Sequence, residues 1–237
     1  MQRYFSNKKN NDYFILNDND LYHIKTVMRM HDKEKIEVVF KENVYICELE
    51  FVNGEIKIKE LEKIDSNIKN KVEISLAIPV LKEQKMDLII QKSTELGVNR
   101  IIPFISERGI VKINSENENK KVTRWQKIAK EASEQSKRID VPVVENVKQI
   151  SDLISYNGKK LVCSTKNNVN NVKYLLQNSL DCDKLIIVIG PEGGLSNFEE
   201  DFLVKNNFLQ VSLGSRIMRV ETVPLFILSV LDYEFME

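Results

Sequence analysis

The chain has 237 residues, enough for one large domain or two small ones, and 42% of them are apolar, so a sizeable core is available. Its 35 Lys and Arg balance 35 Asp and Glu, so any nucleic-acid binding must come from a local cluster of cations rather than from net charge. Cys47, Cys163 and Cys182 lie far apart and the only histidines are His23 and His31, which excludes a disulfide framework and a zinc module and leaves reduced thiols and no metal as the expectation.

In chain order, the first residues, Met1-Gln-Arg-Tyr-Phe-Ser-Asn-Lys8, carry no apolar stretch of signal-peptide length. A helical turn is expected near Leu21–Met30. Ile36–Phe40, Val44–Phe51 and Glu55–Lys59 read as strands, the last two half-buried and antiparallel, with Asn53-Gly54 as the hairpin turn that joins them. Residues 1–70 thus predict a small β-barrel, and the polar Lys63–Lys71 predicts a linker. From residue 71 to 237 the pattern changes to alternating strands and helices. Strands are expected at Val72–Ile78, Arg100–Ile105, Leu161–Thr165, Leu185–Ile189 and Leu209–Leu213. Helices are expected at Lys85–Leu96 (ended by Gly97), Lys120–Arg138, Asn170–Asn178, Phe198–Asn206 and Glu221–Phe235. That alternation predicts a parallel sheet covered on both faces. Asn114–Asn119 reads as a polar loop. Val223–Leu231, the most apolar stretch, is too short to span a bilayer, so a soluble cytoplasmic protein is expected.

The sharpest local signal is the apolar run Leu185–Ile189 entering Gly190-Pro191-Glu192-Gly193-Gly194, followed by a helix whose Ser196 and Glu199 have capping-box spacing. Glycines at the carboxyl end of a parallel strand let backbone approach a ligand closely, and open α/β sheets bind ligands at that edge. The spacing is neither a dinucleotide fingerprint nor a P-loop, and Glu192 would repel a phosphate, so a nucleoside-type ligand without phosphate fits better. A second loop, Leu213-Gly214-Ser-Arg216-Ile217-Met218-Arg219-Val-Glu221-Thr222, also leaves a strand and enters a helix. Read blandly, the first is a tight turn and the second a solvated loop.

Together these loops resemble the cofactor region of SPOUT methyltransferases, most specifically the ribosomal-RNA uridine-N3 methyltransferase family (RsmE-like). The resemblance also rests on Met1–Phe5, His23–Met30, Lys85–Gly97, Ser106–Lys112 and Trp125–Arg138, in that order along the chain. It implies an α/β fold in which a PUA-like RNA-binding barrel, residues 1–70, precedes a SPOUT-type trefoil-knotted parallel-sheet domain, residues 71–237. It implies a homodimer, with S-adenosyl-L-methionine as cofactor and 16S ribosomal RNA or the small ribosomal subunit as partner. Cofactor contacts are expected from Ser164, Thr165, Ile189, Gly190, Pro191, Glu192, Gly193, Gly194, Leu213, Gly214, Ile217, Met218 and Thr222. RNA contacts are expected from Arg3, His23, Arg29, Arg108, Lys112, Arg124, Lys127 and Arg138. The departures are Ile139-Asp140 where the family often has a second arginine, Val223-Pro224 after Glu221-Thr222, and Cys163-Ser164-Thr165 where relatives often carry a histidine or acid.

The 120–138 segment carries seven basic residues against Glu131 and Glu134, the densest candidate for phosphate contacts, although such a run is ordinarily a solvated helix face. Trp125, Cys163, Met28, Met30 and Met86 read as core residues. Residues 71–237 hold no histidine, the usual general base, so removal of the uracil N3 proton falls to charge stabilisation. Arg219 is the first candidate, Arg216 the second, and Glu221 would hold the arginine or accept the proton. A ribosome-associated RNA-binding or assembly module without catalysis is the alternative, disfavoured because both loops are intact.

Overall fold

The computed structural model describes residues 1–64, 72–111, 113, 115–166, 169–179 and 182–235. The chain divides into two compact units, one of Met1–Lys69 with Ser133–Asp140, the other of Asn70–Ala132 with Val141–Glu237.

In the smaller unit, β1 (Arg3–Phe5), β2 (Lys8–Asn10), β3 (Tyr13–Ile15), β4 (Lys35–Phe40), β5 (Asn43–Val52) and β6 (Glu55–Ile64) form a six-stranded sheet in the order β1-β4-β5-β6-β3-β2. The alternation along these strands turns Tyr4, Phe14, Val38, Leu49 and Ile58 into one core. Asn53 and Gly54 both take positive φ, 51° and 83°, and close the β5–β6 hairpin on the Val52–Glu55 pair. The helix α1 (Asp18–Tyr22) starts at Asn17, whose side chain caps Asp20 N–H, and runs into a π-helical turn, His23–Val27. The expected linker begins inside β6 at Lys63 and Ile64, and residues 65–71 lie outside the described residues. Met28, expected in the core, is 38% exposed on the turn after α1.

Residues 133–140 dock on this sheet through ion pairs. Arg3 Nε lies 2.8 Å from Glu37 Oε2, Lys137 Nζ 2.9 Å from the same oxygen, and Arg3 Nη1 donates to the Arg138 carbonyl at 3.1 Å. Burial raises the Glu37 pKa, but the hydrogen bonds from Lys137 and Arg3 outweigh it and hold the carboxyl below the ordinary glutamate value. A depressed folded pKa contributes stability that is present above the unfolded pKa, about 4.3, and is lost as pH falls through the folded value. Acidification from about pH 6 to pH 3 is therefore expected to lower the amide protection factors across 133–140, measured against the intrinsic exchange rate at each pH, and Glu37→Gln to lower them already at neutral pH. Protection factors indifferent to both changes would remove Glu37 from the docking.

In the larger unit, seven parallel strands form one sheet. These are β7 (Glu73–Pro79), β8 (Arg100–Ile105), β9 (Val143–Val144), β10 (Lys148–Gln149), β11 (Lys159–Cys163), β12 (Lys184–Val188) and β13 (Leu209–Val211). Their order is β10-β8-β7-β12-β11-β13, with β9 also on β8. Successive β12 residues feed opposite faces: Leu185 and Ile187 join one core with Met86, Trp125 and Ile227, while Ile186 and Val188 join another with Leu203 and Phe208. The helices are α2 (Glu83–Glu95), α3 (Ser115–Gln135), α4 (Val172–Ser179), α5 (Asn197–Lys205) and α6 (Thr222–Phe235). Residues 115–119, expected as a loop, are the first turn of α3 instead. Glu116 and Glu118 suit the positive end of the helix, and Glu118 Oε1 accepts from Val147 N–H at 2.9 Å. The helix ends at Gln135 rather than 138, before Lys137 at φ 60°. Among the described residues no helix is long and apolar enough to cross a membrane.

Candidate active site

Strand register builds the site. Val162 pairs with Val188, Val188 with Ala77, and Cys163 with Val211, so β11, β12, β7 and β13 end at one level and their following loops leave the same edge of the sheet. Ser164 N–H donates to the Val211 carbonyl at 2.9 Å and Ile189 N–H to the Ala77 carbonyl at 3.0 Å, which places Ser164, Ile189 and the start of the 212–221 loop side by side. Burial pushes the Cys163 thiol up to about 12, so at neutral pH it is a packed sulfhydryl and no nucleophile.

The 190–195 loop is tight. Gly194 N–H donates to the Pro191 carbonyl at 2.8 Å and Gly194 takes φ 68°, the left-handed region that glycine enters freely. An alanine methyl at Gly190 would lie 2.8 Å from Leu195 N, so there the absence of a side chain is a spatial requirement. The loop is also braced from the 106–108 segment. Arg108 Nη1 donates to the Gly193 carbonyl at 3.0 Å and the Leu195 carbonyl at 3.3 Å. The buried Glu199 accepts from Glu107 N–H at 2.7 Å and closes the expected capping box with Ser196 at the start of α5. Arg108, expected at RNA, is thus occupied in holding the glycine loop.

Across the site, Lys85 Nζ in the first turn of α2 lies 2.7 Å from Glu192 Oε1 and 3.3 Å from Glu221 Oε2. One ammonium therefore touches both loops that the sequence singles out. Its hydrogen bond holds the Glu192 carboxyl below the usual range, and the two carboxylates raise Lys85. Glu221 meets this lysine rather than an arginine, because α2 delivers a cation from elsewhere in the chain. Arg216 and Arg219 are exposed, and their guanidinium groups have no ion pair or hydrogen bond among the described residues. The Arg219 carbonyl accepts from Thr222 N–H at 2.8 Å and Val223 N–H at 3.2 Å, which fixes the residue just ahead of α6. Leu213 packs on the core, Gly214 takes φ 118°, Met218 is half-buried, and Thr165, Thr222 and Ile217, 86% exposed, face outward.

The other expected RNA residues divide. His23 Nδ1 is 2.9 Å from the Tyr4 hydroxyl, and the two rings meet edge to face, a structural contact. Arg3 and Arg138, with side chains 10% and 9% exposed, are committed to Glu37 and Asp140. Arg124 forks onto Asp87 of α2, at 2.9 Å through Nη1, and Lys127 is 3.7 Å from Glu131. Lys121 and Arg124 are thus paired with Glu83 and Asp87 of α2, which counting along one helix cannot reveal, whereas the partner of Lys127 lies on α3 itself. Arg29 is exposed with its side chain unpaired among the described residues, and Lys112 lies outside them. Sequence reasoning found Glu199 as a capping residue but missed Lys85 and the bracing of Glu199 and the glycine loop by 106–108, though Lys85 and Ser106–Lys112 stand in segments that carry the resemblance.

Family models for an RNA methyltransferase domain and for an RNA methyltransferase PUA domain match residues 68–232 and 16–61. The chain is 32% identical to ribosomal RNA small subunit methyltransferase E of Bacillus subtilis, over 99% of this chain and 97% of that protein. It is 35% identical to the protein of that name from Mesomycoplasma hyopneumoniae, over 97% and 98%. The crystal structure of the Neisseria gonorrhoeae ribosomal RNA small subunit methyltransferase E bound to S-adenosyl methionine superposes with a TM-score of 0.87, at 28% identity, over 98% of this chain and 97% of that one. A putative methyltransferase from Legionella pneumophila, in complex with the same cofactor, gives 0.88 at 27% identity, over 98% and 96%.

Proposed function

Because the chain belongs to the ribosomal RNA small subunit methyltransferase E family, with a SPOUT-type α/β sheet and a PUA domain, we propose that it uses S-adenosyl-L-methionine to methylate N3 of a uridine in 16S ribosomal RNA. The observation that carries this reading is the meeting of the glycine loop and the arginine-bearing loop at one sheet edge, joined by Lys85. The site fits the cofactor: Gly194 and Gly214, with nothing within 4 Å of an added methyl, leave open space beside both loops, and no phosphate motif competes. Ser164, Ile189 and the 190–194 backbone would hold the adenosine side, and Leu213, Gly214 and Met218 the other. When bound, the cofactor supplies a sulfonium methyl group that needs only an in-line approach to N3.

The chain's own task is the N3 proton. A phenol-like acid near pH 10 costs about 4 kcal/mol to ionise at neutral pH, and the enzyme must offset that in the transition state. The guanidinium of Arg219, unpaired among the described residues, stabilises the developing anion, with Arg216 of the same loop as second candidate, and Glu221 accepts the proton. RNA phosphates meet the exposed, unpaired Arg29, and Arg29→Ala should flatten the log-affinity against log-salt slope by about 1. Residues 1–70 bind RNA and 71–237 carry catalysis, in the cytoplasm.

The chain works as a homodimer in this reading. The α6 helix buries Pro224, Ile227, Leu228 and Leu231 and leaves Phe226 and Tyr233 exposed seven residues apart, an apolar second face for a two-fold partner. The test is incubation with cofactor and small-subunit RNA followed by mass mapping of nucleotides, with light scattering on the same sample. Methyl on a ribose or on another base would overturn the N3 assignment, and a monomer at micromolar concentration the dimer.

A further inference from the structure

Lys85 occupies a position that local preference disfavours. It stands in the first turn of α2, where the positive end of the helix repels a cation, and it reaches two glutamates more than a hundred residues away. Its side chain is 33% exposed, and those of Glu192 and Glu221 are 41% and 19%. The Lys85–Glu192 pair, open to solvent, contributes little to stability. The arrangement is better suited to relative placement: Glu192 belongs to the glycine loop, and Glu221 follows the arginine-bearing loop where α6 begins. The Glu221 oxygen that faces Lys85 is buried and makes no hydrogen bond among the described residues, so Lys85 is what orients it.

Resting on the methyltransferase reading, we propose that Lys85 is a positioning residue that couples the two loops, drawing the cofactor loop through Glu192 and the proton-accepting Glu221 into register. Cofactor affinity is then set partly through Lys85–Glu192, and the transfer step partly through Lys85–Glu221. Residues that act as one unit give non-additive mutational effects, whereas independent contributors add.

The experiment measures S-adenosyl-L-methionine affinity by calorimetry and single-turnover methyl transfer on the full chain. The variants are Lys85→Met, Lys85→Arg, Glu192→Gln, Glu221→Gln and the doubles of Lys85→Met with each glutamine. Lys85→Met is expected to weaken affinity and slow transfer about tenfold each, with Lys85→Arg recovering part of both. The double with Glu192→Gln should bind no more weakly than Lys85→Met, and the double with Glu221→Gln should transfer no more slowly. Multiplying effects in either double, or wild-type values in a folded Lys85→Met, would overturn the coupling. Wild type that neither binds the cofactor nor transfers methyl would instead overturn the methyltransferase reading.

Discussion

Gly190→Ala is expected to weaken S-adenosyl-L-methionine binding about thirtyfold, roughly 2 kcal/mol, while leaving the fold intact. The added methyl would sit 2.8 Å from Leu195 N and 3.1 Å from the Gly194 carbonyl carbon, both backbone atoms of the same loop. Neither can swing aside as a side-chain tip would, so the loop itself must move. Arg108 bonds that loop at Gly193 and Leu195, so a shifted loop disturbs those two hydrogen bonds as well. Gly194→Ala is the control. Nothing lies within 4 Å of its added methyl, and its cost comes from holding alanine at φ 68°. It should destabilise the loop by about 1 kcal/mol with a smaller loss of affinity. Calorimetry on variants whose circular dichroism matches wild type decides the matter, and undiminished affinity in Gly190→Ala would show that the cofactor sits elsewhere.

Arg219→Ala is expected to lose about 2.7–4 kcal/mol of transition-state stabilisation, a hundredfold or more in rate, by analogy with the deletion of an oxyanion donor. Its carbonyl is fixed by two N–H groups at the start of α6, which anchors the backbone, while its side chain is unpaired among the described residues and so is not spent on a structural contact. Cofactor affinity should change little, because the contact strengthens only as the anion forms. The variant's chemical step should speed up as pH rises toward about 9.5, where hydroxide takes over more of the deprotonation. Arg219→Lys should recover part of the rate, lacking the planar fork of donors. Single-turnover methyl transfer across that range measures all of this. A near-wild-type rate at neutral pH would pass the role to Arg216.

The α/β alternation, the Asn53-Gly54 hairpin, the Ser196–Glu199 capping box and the two loops were legible because each is written in neighbouring residues. The strands β1, β2 and β3 span three residues each, and β9 and β10 two, too few for a period to show. The first turn of α3 lacks apolar spacing and is held by Glu118 on Val147, a partner remote in sequence. The same blindness governs the charges. Arg124 and Arg3 stood as RNA candidates until Asp87 and Glu37 were seen against them, and Lys85 was only the start of an expected helix until two distant carboxylates converged on it.

The smaller unit draws residues 133–140 into itself, and this bears on how the molecule is made. A ribosome that has delivered the first 69 residues has delivered a sheet whose Arg3 and Glu37 still await Lys137 and Arg138. That nascent sheet cannot reach its final set of contacts until roughly twice as much chain has emerged, by which time the first strands and helices of the other unit are also outside the tunnel. Completion of the amino-terminal fold is thus tied in time to the onset of the carboxyl-terminal one, and a fragment cut at the first boundary would lack its own closing piece.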